Sequence, residues 1–139
     1  MKTAMMSIRE PYARAIMKGE KKYEYRTRKP AFGPRTRVMV YVPGRDGGLI
    51  GEMVVEKILS GTPESIWRRT AKEAGVDRDT FFAYFAGRTK AFALRILRFV
   101  EWEHPVRLDD LRKRMGAGFR PPQFFRWLGA DEVLRVRPS

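Results

Sequence analysis

The sequence predicts an α+β fold built on a curled, largely antiparallel sheet, and three observations carry that expectation. Apolar, β-rich runs recur at Ala4–Ile8, Arg37–Val42, Leu49–Leu59 and Ala91–Val100. Between them lie stretches with apolar residues at helical spacing, opened by Pro, Thr or Asp and closed by Gly. Strands and helices do not alternate one for one, as a regular βαβ repeat would require. The expected inventory is about five or six mostly antiparallel strands with roughly three to five flanking helices.

Each element has its own warrant. Ala4–Ile8 reads as a short buried strand. Glu10 and Pro11 open a helix, since proline at the first helical position gives up an N–H that would have no partner there. Tyr12, Ala15 and Ile16 share one face of it, and Gly19 closes it in the left-handed conformation that glycine adopts without penalty. Lys22–Arg28 reads as a strand with polar alternation, followed by a loop over 29–34. Arg37–Val42 is a central strand, Gly44–Gly48 a turn and Leu49–Leu59 the returning strand. Thr62 caps a second helix, with Pro63 inside it, Ile66, Trp67, Thr70, Ala71 and Ala74 on its buried side, and Gly75 at its end. Asp77 caps a third, whose Phe81, Phe82, Tyr84 and Phe85 are expected in the core, ended by Gly87. Ala91–Val100 is the longest strand and Leu108–Arg114 a short helix. Pro121 and Pro122 start another helix running to Leu128, and Glu132–Val136 is a last short strand. No repeat or linker interrupts, so 1–139 reads as a single domain.

Charge narrows the function classes. Twenty-nine Lys and Arg against 16 Asp and Glu give a formal +13, a field that attracts polyanions and speeds their encounter. A genome biased towards arginine would exchange Lys for Arg but would not deplete acids. Nucleic acid is therefore the expected partner. The absence of cysteine removes disulfides, thiolate zinc sites and thiol nucleophiles. The opening Met1–Met6 lacks the apolar stretch of a signal peptide, and no run approaches the ~18 apolar residues of a membrane span. A cytoplasmic protein without a membrane partner is expected, a monomer by default.

The densest functional signal follows the first helix. Lys21, Lys22, Arg26, Arg28 and Lys29 crowd together with Tyr23 and Tyr25 among them. Cations supply affinity for phosphate, and aromatic faces stack on unpaired bases at ~1–3 kcal/mol each. Glu24, alone among the cations, can accept hydrogen bonds from a base edge. Strand alternation sends Glu24, Arg26 and Arg28 to one face and Tyr23 and Tyr25 to the other, so Glu24 can pair with Arg26 and aim its guanidinium. The plainer reading is a surface ion pair worth under ~1 kcal/mol. For the two tyrosines, core packing is expected ahead of base stacking. The direction of Lys21, at the helix–strand junction, cannot be read.

Other candidates are weaker. Arg88 and Lys90 form a second basic patch or are solvated charges at a strand entry. Gln123 follows a double proline at an expected helix start, where backbone N–H groups favour anions. It can equally be a helix-terminal residue with no ligand. Arg9, Arg14 and Lys18 extend the basic surface along the first helix. His104 is the only histidine and has no partner for zinc, so neither a metal nor another cofactor is expected. Gly44–Gly48 lacks the Gly-Lys-Ser/Thr of a phosphate loop, and no nucleophile elbow is present. Trp67, Trp102 and Trp127 read as packing residues.

Gly19, Lys21, Glu24 and Arg26 match every fixed position of G-x-K-x-x-E-x-R, and the segment resembles the ASCH motif. Met6-Ser7-Ile8, Pro11-Tyr12, Gly51-Glu52, the Thr62–Gly75 helix, Phe82–Phe85 with Gly87, and Pro121-Pro122-Gln123 resemble one branch of that family, so the likeness runs from about Met5 to Leu128. Proteins of that branch are often described as predicted transcriptional regulators. The resemblance implies a PUA-like fold, a small curled or closed β-barrel with a cleft beside the first helix that takes RNA or modified nucleobases. Two functions follow from it. The favoured one is a module binding RNA, or single-stranded nucleic acid, in the cleft. The alternative is a hydrolase acting on RNA or a modified nucleoside, with Lys21 and Glu24 as its acid–base pair. In ASCH amidohydrolases a threonine nucleophile stands where this chain has Glu24, which argues against that particular chemistry.

Overall fold

The computed structural model describes residues 1–138. In chain order the elements are β1 (Thr3–Ser7), α1 (Glu10–Met17), β2 (Tyr23–Arg26), β3 (Thr36–Val42), β4 (Gly48–Gly61), α2 (Pro63–Thr70), α3 (Arg78–Tyr84), β5 (Ala91–Arg107), α4 (Leu108–Met115), β6 (Phe125–Leu128) and α5 (Ala130–Val136). A single 3₁₀ turn, Ala71–Glu73, extends α2. Two caps form as the sequence predicts: the Ser65 N–H donates to Thr62 Oγ1 at 3.1 Å and the Thr80 N–H to Asp77 Oδ1 at 2.7 Å. Each cap satisfies one of the helix-terminal N–H groups that have no partner within the helix.

The strands form one mixed sheet in the order β2-β5-β4-β3-β1-β6. Every pairing is antiparallel except β1 with β3, which are joined by the long excursion through α1 and β2 that a parallel pair needs. The centre is buried on both faces. Along β1, Ala4 and Met6 enter the core beneath α1, while Met5 enters a second core with Leu111 and Phe119 on the opposite side. A third apolar cluster joins Tyr23 and Tyr25 of β2 to Ile66, Phe81 and Phe85 of α2, α3 and the turn that follows. The long β4 and β5 strands, 14 and 17 residues, slip register near Val55, where bulges sharpen the twist.

Several expectations need correction. The sheet is not a closed barrel: among the described residues β2 and β6 remain its two edges. What spans from β2 towards β1 is a side chain, with Arg26 Nη2 donating to the Ser7 carbonyl at 2.6 Å. Pro121 and Pro122 do not start a helix. They lead into β6, which pairs antiparallel with β1 and completes that side of the sheet. The expected strand at Glu132–Val136 is instead the greater part of α5, because Glu132 folds back so that its carboxylate accepts the Gly129 N–H at 3.0 Å. Of the aromatic residues assigned to the core on α3, Phe81 and Phe85 are fully buried, Phe82 is half-buried and Tyr84 is exposed. No helix among the described residues is long and apolar enough to cross a membrane.

Candidate functional site

Lys21 lies between the end of α1 and the start of β2, and its surroundings come from far along the chain. Its ammonium donates to the Ala74 carbonyl at 3.0 Å. Gly75 packs directly against it: this residue has φ +68°, and a Cβ there would collide with the Lys21 side chain. The lysine is only 2% exposed. Its nitrogen lies 4.5 Å from the centre of the Tyr25 ring and 5.4 Å from that of Tyr12. Burial, opposed by the Glu24 carboxylate and reinforced by the Arg26 guanidinium, lowers its pKa to about 8.

The neighbouring motif residues lock one another. Arg26 donates from Nε to Glu24 Oε2 at 3.0 Å, with Nη2 of the same guanidinium 2.9 Å from that oxygen. Glu24 is 5% exposed, so this is a buried, charge-assisted pair and not the exposed one of the plainer sequence reading. Across the sheet face, Tyr23 and Tyr25 are buried, as expected. The Thr70 hydroxyl donates to the Ile66 carbonyl, which leaves the Tyr25 hydroxyl as donor to Thr70 at 2.7 Å. Burial pushes Tyr25 up to about 12, so it stays protonated.

These groups face a cavity of about 260 Å³. Lys21, Glu24, Tyr25 and Arg26 line it with Arg9 and Tyr12 from the start of α1, and Val76, Phe81 and Tyr84 join them from α3 and the segment before it. Ser7, Pro43, Thr80 and Gln123 complete the lining. Because β2 is an edge strand, residues from both of its faces reach the cavity. Tyr84 is 48% exposed, beside Thr27, and burial of the remainder raises its pKa. A cavity of aromatic walls with a few convergent charged groups suits a flat, polar, partly anionic ligand.

The sequence-predicted residues divide. Lys21, Glu24, Arg26 and Gln123 line the cavity. Gln123 does so from the loop before β6, without the helix N-terminus expected there. Lys22 lies outside it, its nitrogen 3.9 Å from Glu73. Arg28, with its guanidinium 5.4 Å from the Phe124 ring, also lies outside, and so does exposed Lys29. Arg88 and Lys90 are exposed beyond α3 and take no part in it. Of the three basic residues noted on the first helix, Arg9 reaches the cavity, whereas Arg14 pairs with Glu10. Sequence reasoning missed Tyr12 and Tyr84, which it assigned to apolar faces. The available signal was a tyrosine near a cationic segment, where one edge can stay polar while the ring packs. Among the described residues no cluster of His, Asp or Glu is arranged to hold a metal ion.

Comparison with known proteins fits this arrangement. The model of the ASCH domain matches residues 6–104. The chain belongs to the ASCH domain family. A protein of Zymomonas mobilis named as an ASCH domain-containing ribonuclease is 33% identical over 135 residues, covering 97% of this chain and 90% of the relative. The crystal structure of ASCH from Zymomonas mobilis superposes with a TM-score of 0.89 at 30% identity, covering 97% of this chain and 93% of that one. The N-terminal domain of Staphylothermus marinus McrB shares the fold at a TM-score of 0.65 and 12% identity, over 96% and 92% of the two chains. The ASCH motif thus lies within the matched region and forms the charged wall of the cavity.

Proposed function

We propose that this ASCH domain, acting as one unit over 1–139 and in the cytoplasm, binds single-stranded RNA at the cavity and cleaves it there. The observation that carries the reading is the buried Lys21, an amine with a pKa of about 8 facing a cavity that also presents Arg9 and Arg26. About a tenth of such an amine is neutral at pH 7, far more than of an exposed lysine. A neutral Lys21 takes the proton of a ribose 2′-hydroxyl. The 2′-oxygen then bonds to phosphorus as the bond from phosphorus to the 5′-oxygen breaks, and that oxygen takes a proton from water. The products are a 2′,3′-cyclic phosphate and a 5′-hydroxyl. Arg26, aimed by Glu24, offsets the negative charge that grows on the phosphate oxygens. The ribonuclease name of the Zymomonas relative, 90% of which this chain covers, supports this reading.

The experiment is cleavage of a labelled single-stranded RNA by excess protein, compared with the same strand carrying one 2′-deoxynucleotide. Loss of cutting at the deoxy position and cyclic phosphate ends are expected; equal cutting of both strands would refute 2′-hydroxyl attack. A second reading, recognition without cleavage, draws on the internal use of the same groups, Lys21 by Ala74 and Glu24 by Arg26. It predicts saturable binding with the strand left whole. Any regulatory role would then rest on that binding.

A further inference from the structure

A second concavity, of about 310 Å³, lies where the C-terminal end of α1 meets β5, and Lys21 is common to its wall and that of the first. Besides Lys21, its charged lining is Lys22, Arg95 and Arg98 with one carboxylate, Glu56. Glu73, outside the lining, accepts a hydrogen bond from Arg95 at 2.9 Å and lies 3.9 Å from the Lys22 nitrogen, so those two cations are partly offset. Arg98 is exposed and has no ion-pair partner within 4 Å among the described residues. Apolar surface accompanies the charge, from exposed Leu97 and half-buried Phe99. Cations beside an aromatic ring are the combination that follows a single-stranded backbone while offering its bases a face to stack on.

We infer that this groove is a second nucleotide subsite, holding a phosphate further along the strand than the one attached to the nucleotide in the first cavity, and so beyond the reach of a dinucleotide. The inference rests on the RNA reading above and adds the direction of the strand, along α1 from Arg9 towards Gly19. Eight helical residues span about 12 Å, more than one nucleotide step, which a short single strand covers and a dinucleotide does not. Arg98 is the group whose charge is free for phosphate, and Arg95, lying 5.0 Å from the Tyr23 ring centre and held by Glu73, is a fixed part of the wall.

The test uses 2′-O-methyl oligonucleotides, which resist 2′-hydroxyl attack, as a dinucleotide and a decanucleotide, with binding followed by fluorescence anisotropy. Arg98→Glu is expected to weaken the decanucleotide by about tenfold and leave the dinucleotide within about twofold, while Arg98→Ala lowers the salt slope for the longer strand by about 0.7. Arg69→Glu, an exposed change on α2 lining neither concavity, makes the same change in net charge and is expected to leave both ligands unaffected. Equal weakening by Arg98→Glu and Arg69→Glu, or an unchanged decanucleotide affinity in Arg98→Glu, overturns the subsite alone. Failure of the unaltered protein to bind either strand overturns the RNA reading and the subsite with it.

Discussion

Replacing Lys21 with methionine separates what this lysine does for the fold from what it does for the site. Its pKa of about 8 in the folded protein, against 10.5 for an exposed lysine, means that the protonated side chain is held at a cost on the order of 3 kcal/mol at pH 7. Methionine removes that cost and fills similar space. It also strips the Ala74 carbonyl of its donor, a loss of about 1–3 kcal/mol. The net expectation at pH 7 is a variant as stable as the unaltered protein or more stable by up to about 2 kcal/mol. The pH dependence is sharper. Because the folded-state pKa is depressed, the stability linked to Lys21 is fully present above 10.5 and lost as pH falls through 8. The advantage of methionine should therefore shrink by about 2–3 kcal/mol between pH 7 and pH 10. Above pH 10 a second linkage intrudes, since Tyr25, raised to about 12, loses stability as pH rises towards that value. Urea unfolding followed by the fluorescence of Trp67, Trp102 and Trp127 measures the difference directly. Parallel stability curves for the two proteins across that range would refute the argument that Lys21 is held charged in a desolvated site.

Other outcomes follow from the same geometry. Gly75→Ala should lose about 2–4 kcal/mol by thermal melting, because it meets a left-handed backbone and the Lys21 side chain together, and RNA cleavage should fall with it. Glu24→Gln should weaken RNA binding by a similar factor for every base composition, since the carboxylate is occupied in aiming Arg26; a changed base preference in competition binding would instead make Glu24 a reader of base edges. Tyr84→Ala should reduce affinity for single-stranded RNA by about 1–3 kcal/mol in anisotropy titrations, because its half-exposed ring is the accessible aromatic face of the cavity. Cleavage should rise about tenfold per pH unit below 8 and level off above it, following the neutral fraction of Lys21.

The fold was legible where local chemistry decides it. Thr62 and Asp77 announce themselves because a cap acts over three residues, and β1, β3, β4 and β5 because each carries its own apolar, β-rich run. The region after α4 was misread, since two prolines before an apolar run fit a helix start as well as an approach to an edge strand. There the pairing of Phe125–Leu128 with β1, far away in sequence, decides the outcome. The α5 signal was present in Glu132, three residues after Gly129, and in Leu134, but Val133 and Val136 outweighed it as β-formers. For the site, the motif grouped Lys21, Glu24 and Arg26, and the structure brings the three to one cavity. The burial of Lys21 was not legible, because Ala74 and Gly75 create it from the far end of α2. Arg88 and Lys90 looked equivalent to the motif cations as sequence, and the turn after α3 leaves them on the outside.

On the proposed reading, Lys21 performs chemistry on RNA in this cavity. The most direct measurement is the single-turnover rate of cleavage of one labelled single-stranded RNA by the unaltered protein, Lys21→Ala and Lys21→Met at pH 8, with folding of each checked by near-ultraviolet circular dichroism. Cleavage by the unaltered protein and a loss of about a hundredfold or more in both folded variants are expected. Cleavage by the folded variants at the unaltered rate, or none by the unaltered protein, would contradict it.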